Sequence, residues 1–399
     1  MGDKNTVNDI VSRADELLEW QEDFYKDLHS HPELSMEEER TRGVIADKLD
    51  SLGISSQEIG GGVVGTVENG EGPTVMLRAD FDGLPVAEET GLDYAADPDA
   101  GVMHACGHDT HVTALMGMAQ LMVENKDAWS GTLHLLFQPG EETGAGAKAM
   151  LDDALVDKVS APDVVLGQHV FGMEVPAGSL AIASGSVMSA AVSMRIKVYG
   201  DGSHGSMPHL GVDPVVLASS IVTRLQTVIS REIAPGDFGV ITVGSISAGK
   251  KANVIADSAT LEINIRAYDE DKRDFLVDAV HRVVDGECAI SRSPKEPEYE
   301  HYDHFPLTVN DEDTTEKVKA ALVDHFGEDK VFHTDPVTAS EDFSHVPDAY
   351  DAPYCYWFFG GLPEGESIPN HSPKFAPVMQ PTLRTGTEAL VAAACAFLG

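Results

Sequence analysis

Basic residues are scarce in this sequence. Its 399 residues include 27 Lys and Arg against 66 Asp and Glu, which gives a formal net charge of −39. Such a surface repels nucleic-acid phosphates and anionic lipids, so neither is expected as a partner. Two interpretations of the charge stay open. The acidic surface either keeps the protein in solution or reflects adaptation to high salt, in which self-repulsion is screened.

Cysteines and long apolar stretches are scarce as well. The four cysteines are far apart and form no CxxC pair, so a disulfide framework is not expected. The first 35 residues are charged and lack the apolar stretch of a secretory signal. The longest apolar run, 389–398, is too short to span a bilayer. These features predict a cytoplasmic protein that has no membrane-spanning part.

Short apolar segments alternate with helical patterns through most of the chain. The predicted strands are 74–79, 132–138, 163–168 and 353–359. The predicted helices are 7–28, 36–52, 111–124, 146–155 and 383–398. This alternation predicts an α/β fold with a mostly parallel, doubly wound sheet.

The middle of the chain has a different order of elements. The predicted elements are strand 190–199, helix 213–231, strands 240–247 and 258–267, helix 271–284, and a strand that begins at 287. This is the order of a ferredoxin-like α+β domain. We therefore expect a discontinuous catalytic domain, 1–186 and 301–399, with an inserted domain at 187–300.

The densest chemical signal is the segment MHACGHDTH at 103–111. Cys106 and His108 lie two residues apart across a glycine, so a tight loop can turn both side chains toward one ion. Thiolate and imidazole are good ligands for zinc-like metals. The alternative is a chance cluster of Cys and His at the start of a helix.

Further residues of metal-binding type follow other predicted strands. Glu141 and Glu142 come after strand 132–138 and a Pro-Gly pair, so one carboxylate can bind a metal while the other takes a proton from water. Two solvated glutamates are the alternative. His169 and His371 are weak signals individually. Asp80 could orient a metal-bound histidine.

The positions of these residues strengthen the prediction. Residues that follow the carboxyl ends of parallel strands meet at one edge of a sheet, where open α/β folds bind their ligands. Five ligands would exceed the four of a structural zinc site, and one glutamate would remain for proton transfer. The sequence therefore predicts two divalent metal ions and metal-assisted hydrolysis.

The inserted domain has three candidates of its own. His204 lies in a glycine-rich loop and could polarise a substrate carbonyl. Asn253 and Arg266 flank a predicted hairpin, and Arg suits a planar carboxylate. A structural histidine and a surface ion pair of Arg266 are the alternatives. The loop lacks the lysine of a phosphate-binding loop, which disfavours a nucleotide-dependent enzyme.

The order of these motifs resembles a known family. The motifs that carry the resemblance are HPEL (31–34), RADFDGLP (78–85), MHACGH (103–108), PGEE (139–142), QH (168–169), GSMPH (205–209), NVI (253–255), SEDF (340–343) and NHSP (370–373). The sequence is similar to the aminoacylase, hippurate hydrolase and auxin-conjugate hydrolase group of metallo-amidohydrolases, related to carboxypeptidase G. The resemblance extends from about residue 24 to the C-terminus.

The resemblance implies a role for each candidate. The metal ligands would be Cys106, His108, Glu142, His169 and His371. Glu141 would be the general base, and His204 would stabilise the oxyanion, in some relatives from the partner subunit. Asn253 and Arg266 would hold the substrate carboxylate. The inserted domain would be a lid that often dimerises, so a homodimer is expected.

The expected reaction is hydrolysis of an N-acyl-L-amino acid with two divalent ions, zinc or alternatively manganese or cobalt. A dipeptidase or carboxypeptidase, an N-acetyl-diaminopimelate deacetylase, and a metal-binding scaffold without turnover are the alternatives. Gly83, Thr110, Ala256 and Ser372 depart from the family's usual Ala, Gly, Pro and Asn. None of these departures removes a ligand, but Thr110 and Ala256 could reshape the pocket and change the substrate.

Overall fold

The computed structural model describes residues 4–398, which divide into two compact units. Unit 1 comprises the chain up to Val187, together with Thr308–Asp335 and the residues from Asp342 onward. Unit 2 comprises Met188–Leu307 and Pro336–Glu341. The predicted metal ligands all lie in unit 1, whereas His204, Asn253 and Arg266 lie in unit 2.

The helices confirm most of the predicted positions. They are α1 (Lys4–Val11), α2 (Leu18–His29), α3 (Glu39–Ser51), α4 (His108–Glu124), α5 (Gly146–Asp152), α6 (Leu155–Lys158), α7 (Pro214–Glu232), α8 (Glu270–Ser291), α9 (Glu312–Phe326), α10 (His345–Tyr350) and α11 (Met379–Leu398). The single helices expected at 7–28 and 146–155 are each divided in two. Within residues 4–398, no helix has both the length and the apolar composition needed to cross a bilayer.

The strands include several that the sequence patterns did not indicate. They are β1 (Ser55–Ile59), β2 (Gly62–Asn69), β3 (Thr74–Asp80), β4 (Gly131–Gln138), β5 (Val164–Pro176), β6 (Leu180–Ile182), β7 (Gly185–Met188), β8 (Ala190–Tyr199), β9 (Ser203–His204), β10 (Gly239–Ala248), β11 (Val254–Ile255), β12 (Ser258–Ala267), β13 (Glu298–Phe305), β14 (Thr308–Asn310), β15 (Val331–His333) and β16 (Tyr354–Leu362).

Unit 1 is built on an eight-stranded sheet with the order β1-β2-β4-β3-β5-β16-β6-β15. The pairs β4–β3, β3–β5, β5–β16 and β6–β15 are parallel, and the others are antiparallel. Strands β3, β4 and β16 are buried along nearly their whole length, as expected of central strands covered on both faces. The predicted α/β class with a mostly parallel sheet is confirmed.

Helix α4 is the central helix of unit 1. Nearly all of its residues are buried, and it packs against α11, α2 and β3. A helix that is apolar on all sides lies inside a core rather than on a surface. Its first residue is His108, so the same core packing fixes the direction of the predicted metal-binding loop.

Unit 2 has a four-stranded antiparallel sheet with the order β10-β12-β8-β13, on which α7 and α8 pack. The predicted strand–helix–strand–strand–helix–strand order is confirmed. The prediction of a strand that begins at residue 287 is wrong, because residues 287–291 complete α8 and the fourth strand is β13. The helical stripe Leu276, Val280, Val284 and Cys288 is buried, and its four-residue spacing carries the helix through this segment.

Unit 2 also extends beyond the expected interval 187–300. Strand β13 pairs with β8 from Glu298 onward, so its residues belong with that sheet. The Ser189 hydroxyl donates hydrogen bonds to the carbonyls of Thr338 and Ala339, at 3.0 and 3.1 Å. These contacts attach the segment Pro336–Glu341 to unit 2.

Candidate metal centre

Five segments of unit 1 carry the predicted ligands. Cys106 lies in the loop before α4, and His108 is the first residue of that helix. Glu142 lies in a short 3-10 turn after β4, and His371 lies in the loop between β16 and α11. His169 does not follow its strand as expected. It lies inside β5, opposite Phe358 of β16, because the strand continues to Pro176.

The ligand atoms of all five residues come together. Those of Cys106, His108 and His169 lie within 4.8 Å of one another, and so do those of Cys106, Glu142 and His371. Cys106 belongs to both groups, so the five residues form two adjoining sets of three that share one sulfur. This arrangement matches the number of ligands expected for two metal ions.

Hydrogen bonds to Nδ1 turn the other ring nitrogen of His108 and of His169 toward the cluster, and His371 faces it through Nε2. His108 Nδ1 lies 3.0 Å from a carboxylate oxygen of Asp82, which leaves Nε2 as the inward atom. His169 Nδ1 donates to the carbonyl of Val170 at 2.7 Å, and its Nε2 lies 3.4 Å from the Cys106 sulfur. His371 Nε2 lies 3.3 Å from the Glu142 carboxylate. Each imidazole therefore offers Nε2 as the ligand atom.

Two buried polar atoms of the cluster have no hydrogen-bond partner among the described residues: His108 Nε2 and one carboxylate oxygen of Glu142. Unpaired buried polar atoms cost free energy, so a cation bound to these two atoms would stabilise the folded site. A set of thiol, imidazole and carboxylate donors is the chemistry that zinc-like divalent ions prefer. The residues therefore fit a pair of divalent metals.

The charges of the cluster also favour a cation. Burial raises the pKa of the Cys106 thiol well above its usual value, and the charges of Glu142, Glu141 and Asp80 raise it further. Burial lowers the pKa of His108, but the neighbouring carboxylates outweigh it and raise the pKa to about 10. A bound divalent ion would supply the positive charge that these carboxylates attract and would stabilise the thiolate.

Glu141 lies beside the cluster and is 5% exposed. One of its carboxylate oxygens is 3.9 Å from His108 Nε2, and the ligand atoms of Glu141, His108 and Glu142 lie within 4.8 Å of one another. The glycine before it has φ +57°, so the chain turns sharply after β4 and the two glutamates leave the strand alternation. A buried carboxylate at this position can accept a proton from a water held between the ligands.

Asp82 makes the hydrogen bond that was expected of Asp80. It accepts from His108, from the Glu142 backbone N–H at 3.0 Å and from the Ser35 hydroxyl at 2.6 Å. Asp82 thus orients two predicted ligands at once. The sequence pattern did not assign it a role, although it lies only two residues after Asp80 in the same motif.

Asp80 instead orients His111. Its carboxylate lies 2.5 Å from His111 Nδ1 and also accepts from Arg78, while His111 Nε2 accepts from the Val170 backbone N–H at 2.8 Å. Both ring nitrogens of His111 are therefore occupied. This excludes His111 as a ligand in this arrangement, although its ring lies next to His108.

The candidates of unit 2 form two separate sets. Strand β9 pairs His204 with Val254 of β11, so His204 and Asn253 lie together at the turn of the β10–β12 hairpin. Arg266 does not flank that turn, because it pairs with Val240 at the other end of β12. The nine residues from Ser258 to Arg266 span about 26 Å at the usual rise of a strand.

The surroundings of these unit 2 residues differ. His204 is exposed and lines a cavity of about 930 Å³ at the hairpin turn. The backbone N–H of Ser206 donates to His204 Nδ1 at 3.2 Å, so the ring proton lies on Nε2. Arg266 is held by Asn264, Ser340 and the Thr338 carbonyl, at 2.9, 3.1 and 2.8 Å.

Several proteins are similar to this chain along most of its length. Thermostable carboxypeptidase 1 of Saccharolobus solfataricus is 37% identical over 96% of both chains. The N-acetyl-L-cysteine deacetylase of Bacillus subtilis is 37% identical over 81% of this chain and 77% of its own. The hippurate hydrolase of Campylobacter jejuni is 34% identical, over 86% of this chain and 89% of its own.

Solved structures are also similar to this chain along nearly its whole length. A crystal structure from methicillin-resistant Staphylococcus aureus superposes with a TM-score of 0.87 at 31% identity and covers all of both chains. The Bacillus subtilis YXEP protein, a dinuclear metal-binding peptidase of family M20, has a TM-score of 0.78 at 26% identity and covers 96% of this chain and 98% of its own. The model of peptidase family M20/M25/M40 matches residues 76–396. The chain belongs to peptidase family M20/M25/M40.

Proposed function

We propose that this protein hydrolyses the amide bond of N-acyl-L-amino acids, releasing a carboxylic acid and a free amino acid. The observation that carries this proposal is a buried glutamate, Glu141, beside five convergent metal-type side chains. The hippurate hydrolase and the N-acetyl-L-cysteine deacetylase among the relatives support this substrate class by their names.

The residues of the chain take distinct roles in this reaction. The two divalent ions, when bound, would polarise the amide carbonyl and lower the pKa of the attacking water. Cys106, His108, Glu142, His169 and His371 hold them. Glu141 accepts the proton of that water and returns it to the leaving nitrogen.

His204 stabilises the oxyanion of the tetrahedral intermediate. Since Nδ1 accepts from the Ser206 backbone, Nε2 carries the hydrogen that this role requires. Arg266 and Asn253 hold the free carboxylate of the substrate. A net charge of −39 repels an anionic substrate, so a positive side chain such as Arg266 has to counter that field locally.

The metal is proposed to be zinc, since thiolate and imidazole are its preferred donors, with manganese or cobalt as substitutes. The compartment is proposed to be the cytoplasm. All four cysteines are unpaired, and the Cys106 thiol has to stay reduced in order to bind metal.

The active form is proposed to be a homodimer formed through unit 2. His204 and Asn253 lie at one end of β12 and Arg266 at the other, so one chain cannot bring both sets to the same carboxylate. Strand β10 is an edge strand, and α7 exposes Val215 and Val216.

Mixing inactive His204→Ala and Arg266→Ala chains tests the proposed dimer and should restore activity. If activity is not restored, the two chains do not share their sites.

Glu141→Gln tests the assignment of the reaction. The variant should lose about 10²- to 10⁴-fold in kcat while still binding two metals. Glu142→Gln is the matched control, because it should lose metal as well as activity. Metal content by mass spectrometry and turnover of N-acetyl and N-benzoyl amino acids are the measurements. Hydrolysis that survives Glu141→Gln with full metal content would contradict the proposed base.

The same site suits a carboxypeptidase or dipeptidase as a second candidate function. Thermostable carboxypeptidase 1, which matches over nearly the full length of both chains, favours this alternative. Dipeptides added to the substrate panel separate the two functions. If kcat/KM is higher for dipeptides than for every N-acyl amino acid, the second function replaces the first.

A further inference from the structure

Three of the ligand-bearing segments belong to elements that are far apart in the chain. Cys106 precedes α4, His169 lies in β5, and His371 lies in the loop between β16 and α11. Within residues 4–398, no β-ladder joins the loop around His371 to the other two segments. The placement of the His371 loop relative to the other two segments therefore depends on hydrogen bonds outside the sheet.

The side chain of Asn370, next to His371, joins all three segments. Its amide nitrogen donates to the carbonyl of Cys106 and to the carbonyl of Val170, both at 3.1 Å. Its amide oxygen accepts from the backbone N–H of Gly172, also at 3.1 Å. One side chain thus contacts the residue that carries the shared sulfur and the strand that carries His169.

The orientation of this amide is determined by its surroundings. A reversed amide would place its oxygen against two carbonyl oxygens and its nitrogen against an N–H group, which would break all three bonds. The amide nitrogen also lies 3.9 Å from the Cys106 sulfur. Both amide hydrogens are already donated to the two carbonyls, so this contact brings the side chain close to the predicted ligand without a third hydrogen bond.

The backbone next to Asn370 needs such support. His371 has φ +69°, a left-handed conformation that is unfavourable for a residue with a side chain and persists only where its surroundings impose it. Its N–H donates to the carbonyl of Ala105 at 2.8 Å, which attaches the same loop to the segment before Cys106. Asn370 and this bond together hold His371 in the orientation that faces Glu142.

We propose that Asn370 is a positioning residue of the metal centre, which sets the distance between the Cys106, His169 and His371 segments before any ion binds. This inference rests on the proposed ligand set. It requires neither the proposed substrate nor turnover. Loss of the Asn370 amide should therefore weaken metal binding itself, in addition to any effect on catalysis.

Asn370→Ala tests the proposal, with Asn69→Ala as the matched control. The Asn69 amide nitrogen also bridges two backbone carbonyls, those of Lys126 and Trp129, at 2.7 and 2.6 Å, but it contacts no ligand-bearing segment. The probe is Zn²⁺ alone, and its Kd is measured by competition with a chromophoric chelator. We expect Asn370→Ala to weaken zinc binding by about 10- to 100-fold, while Asn69→Ala binds zinc as the wild type does.

Asn370→Leu is a second variant of nearly the same shape and without charge. It removes all three hydrogen bonds of the amide, so it should also weaken zinc binding at least tenfold. This variant decides the outcome if Asn370→Ala does not fold. Zinc affinity within about threefold of wild type in a folded variant, or equal weakening in Asn69→Ala, overturns the proposal. No substrate enters this measurement, so a failure of amide hydrolysis would be a separate result.

Discussion

Glu38 is a buried carboxyl group behind the loop that carries Glu141 and Glu142. It is 4% exposed, and it accepts a hydrogen bond from the backbone N–H of Gly140 at 2.8 Å. Burial raises the pKa of Glu38 to about 7, with a smaller contribution from the Asp82 charge, and bonds from backbone N–H groups offset only part of the rise. This carboxyl group is therefore neutral in the folded protein at mildly acidic pH.

Glu38→Gln should change how stability depends on pH. Because the pKa is raised on folding, the contribution of Glu38 is fully present below about pH 4.5, the ordinary pKa, and is lost as the pH rises through 7. Glutamine keeps the acceptor for Gly140 and does not ionise. We expect the variant to gain about 1–3 kcal/mol relative to wild type between pH 5 and pH 8, measured by urea unfolding with metals chelated.

Asp311→Asn is the control for this measurement. A hydrogen bond with Thr314 lowers the pKa of Asp311 below its ordinary value of 3.8, so its titration falls outside the interval from pH 5 to pH 8. The difference between this variant and wild type should stay constant across that interval. If the Glu38→Gln difference is equally constant, Glu38 does not have the raised pKa.

Local sequence identifies some site residues and not others. Cys106 and His108 are recognisable because two ligand types lie two residues apart across a glycine. Glu38 and Asn370 were not recognised, because their contacts, to Gly140 and Cys106, join residues 102 and 264 positions apart. Only the folded chain creates such contacts, and no local pattern specifies them.

At the scale of elements, periodicity predicts what the core imposes. The strands of buried apolar residues and the buried helix α4 were expected because their patterns follow their burial. Strand β1 was missed because its first four residues, Ser55–Glu58, are polar and exposed, and it pairs only with β2 at the edge of the sheet. The carboxyl end of β5 was missed because the apolar run stops before His169. A polar ligand candidate at that point was taken to follow the strand rather than to lie inside it.

The turn into α4 depends on Gly107, which lies between two predicted ligands. It has φ +82°, and a Cβ atom there would come within 2.5 Å of Val170 Cγ1 and 3.2 Å of Phe375 Cε1. A larger residue would strain the backbone and would also push against the strand that carries His169. Glycine is thus required both by conformation and by space.

Gly107→Ala should therefore destabilise the metal-free protein by about 2–4 kcal/mol and reduce the bound metal. Gly53→Ala is the matched control, because Gly53 has φ +71° but nothing within 4 Å of the added Cβ. The control should lose only about 1 kcal/mol and keep its metal. Denaturant unfolding and metal analysis check both variants, and equal losses in the two would show that the contact with Val170 does not matter.

At the scale of the whole molecule, charge is the dominant feature. The 66 acidic side chains outnumber the 27 basic ones by 39, so they cannot all be neutralised internally, and most of the pairs that form lie at the surface, where each contributes little. The folded chain therefore carries a repulsive energy that its own cations do not cancel. Dissolved salt can cancel it, because the screening length falls from about 30 Å at 0.01 M to about 3 Å at 1 M.

The melting temperature should therefore rise by several degrees as NaCl increases from about 0.01 M to about 0.1 M. Scanning calorimetry with metals chelated measures this rise, and sucrose at matched osmolality is the control for general exclusion from the surface.

The change in melting temperature above about 0.1 M NaCl separates the two interpretations of the acidic surface. If the acidic surface serves only solubility, the rise should level off once the screening length is shorter than the spacing of the charges. Adaptation to high salt should instead give a melting temperature that still rises toward about 1 M. A melting temperature that stays constant or falls at the lowest salt concentrations would mean that self-repulsion does not limit the stability of this fold.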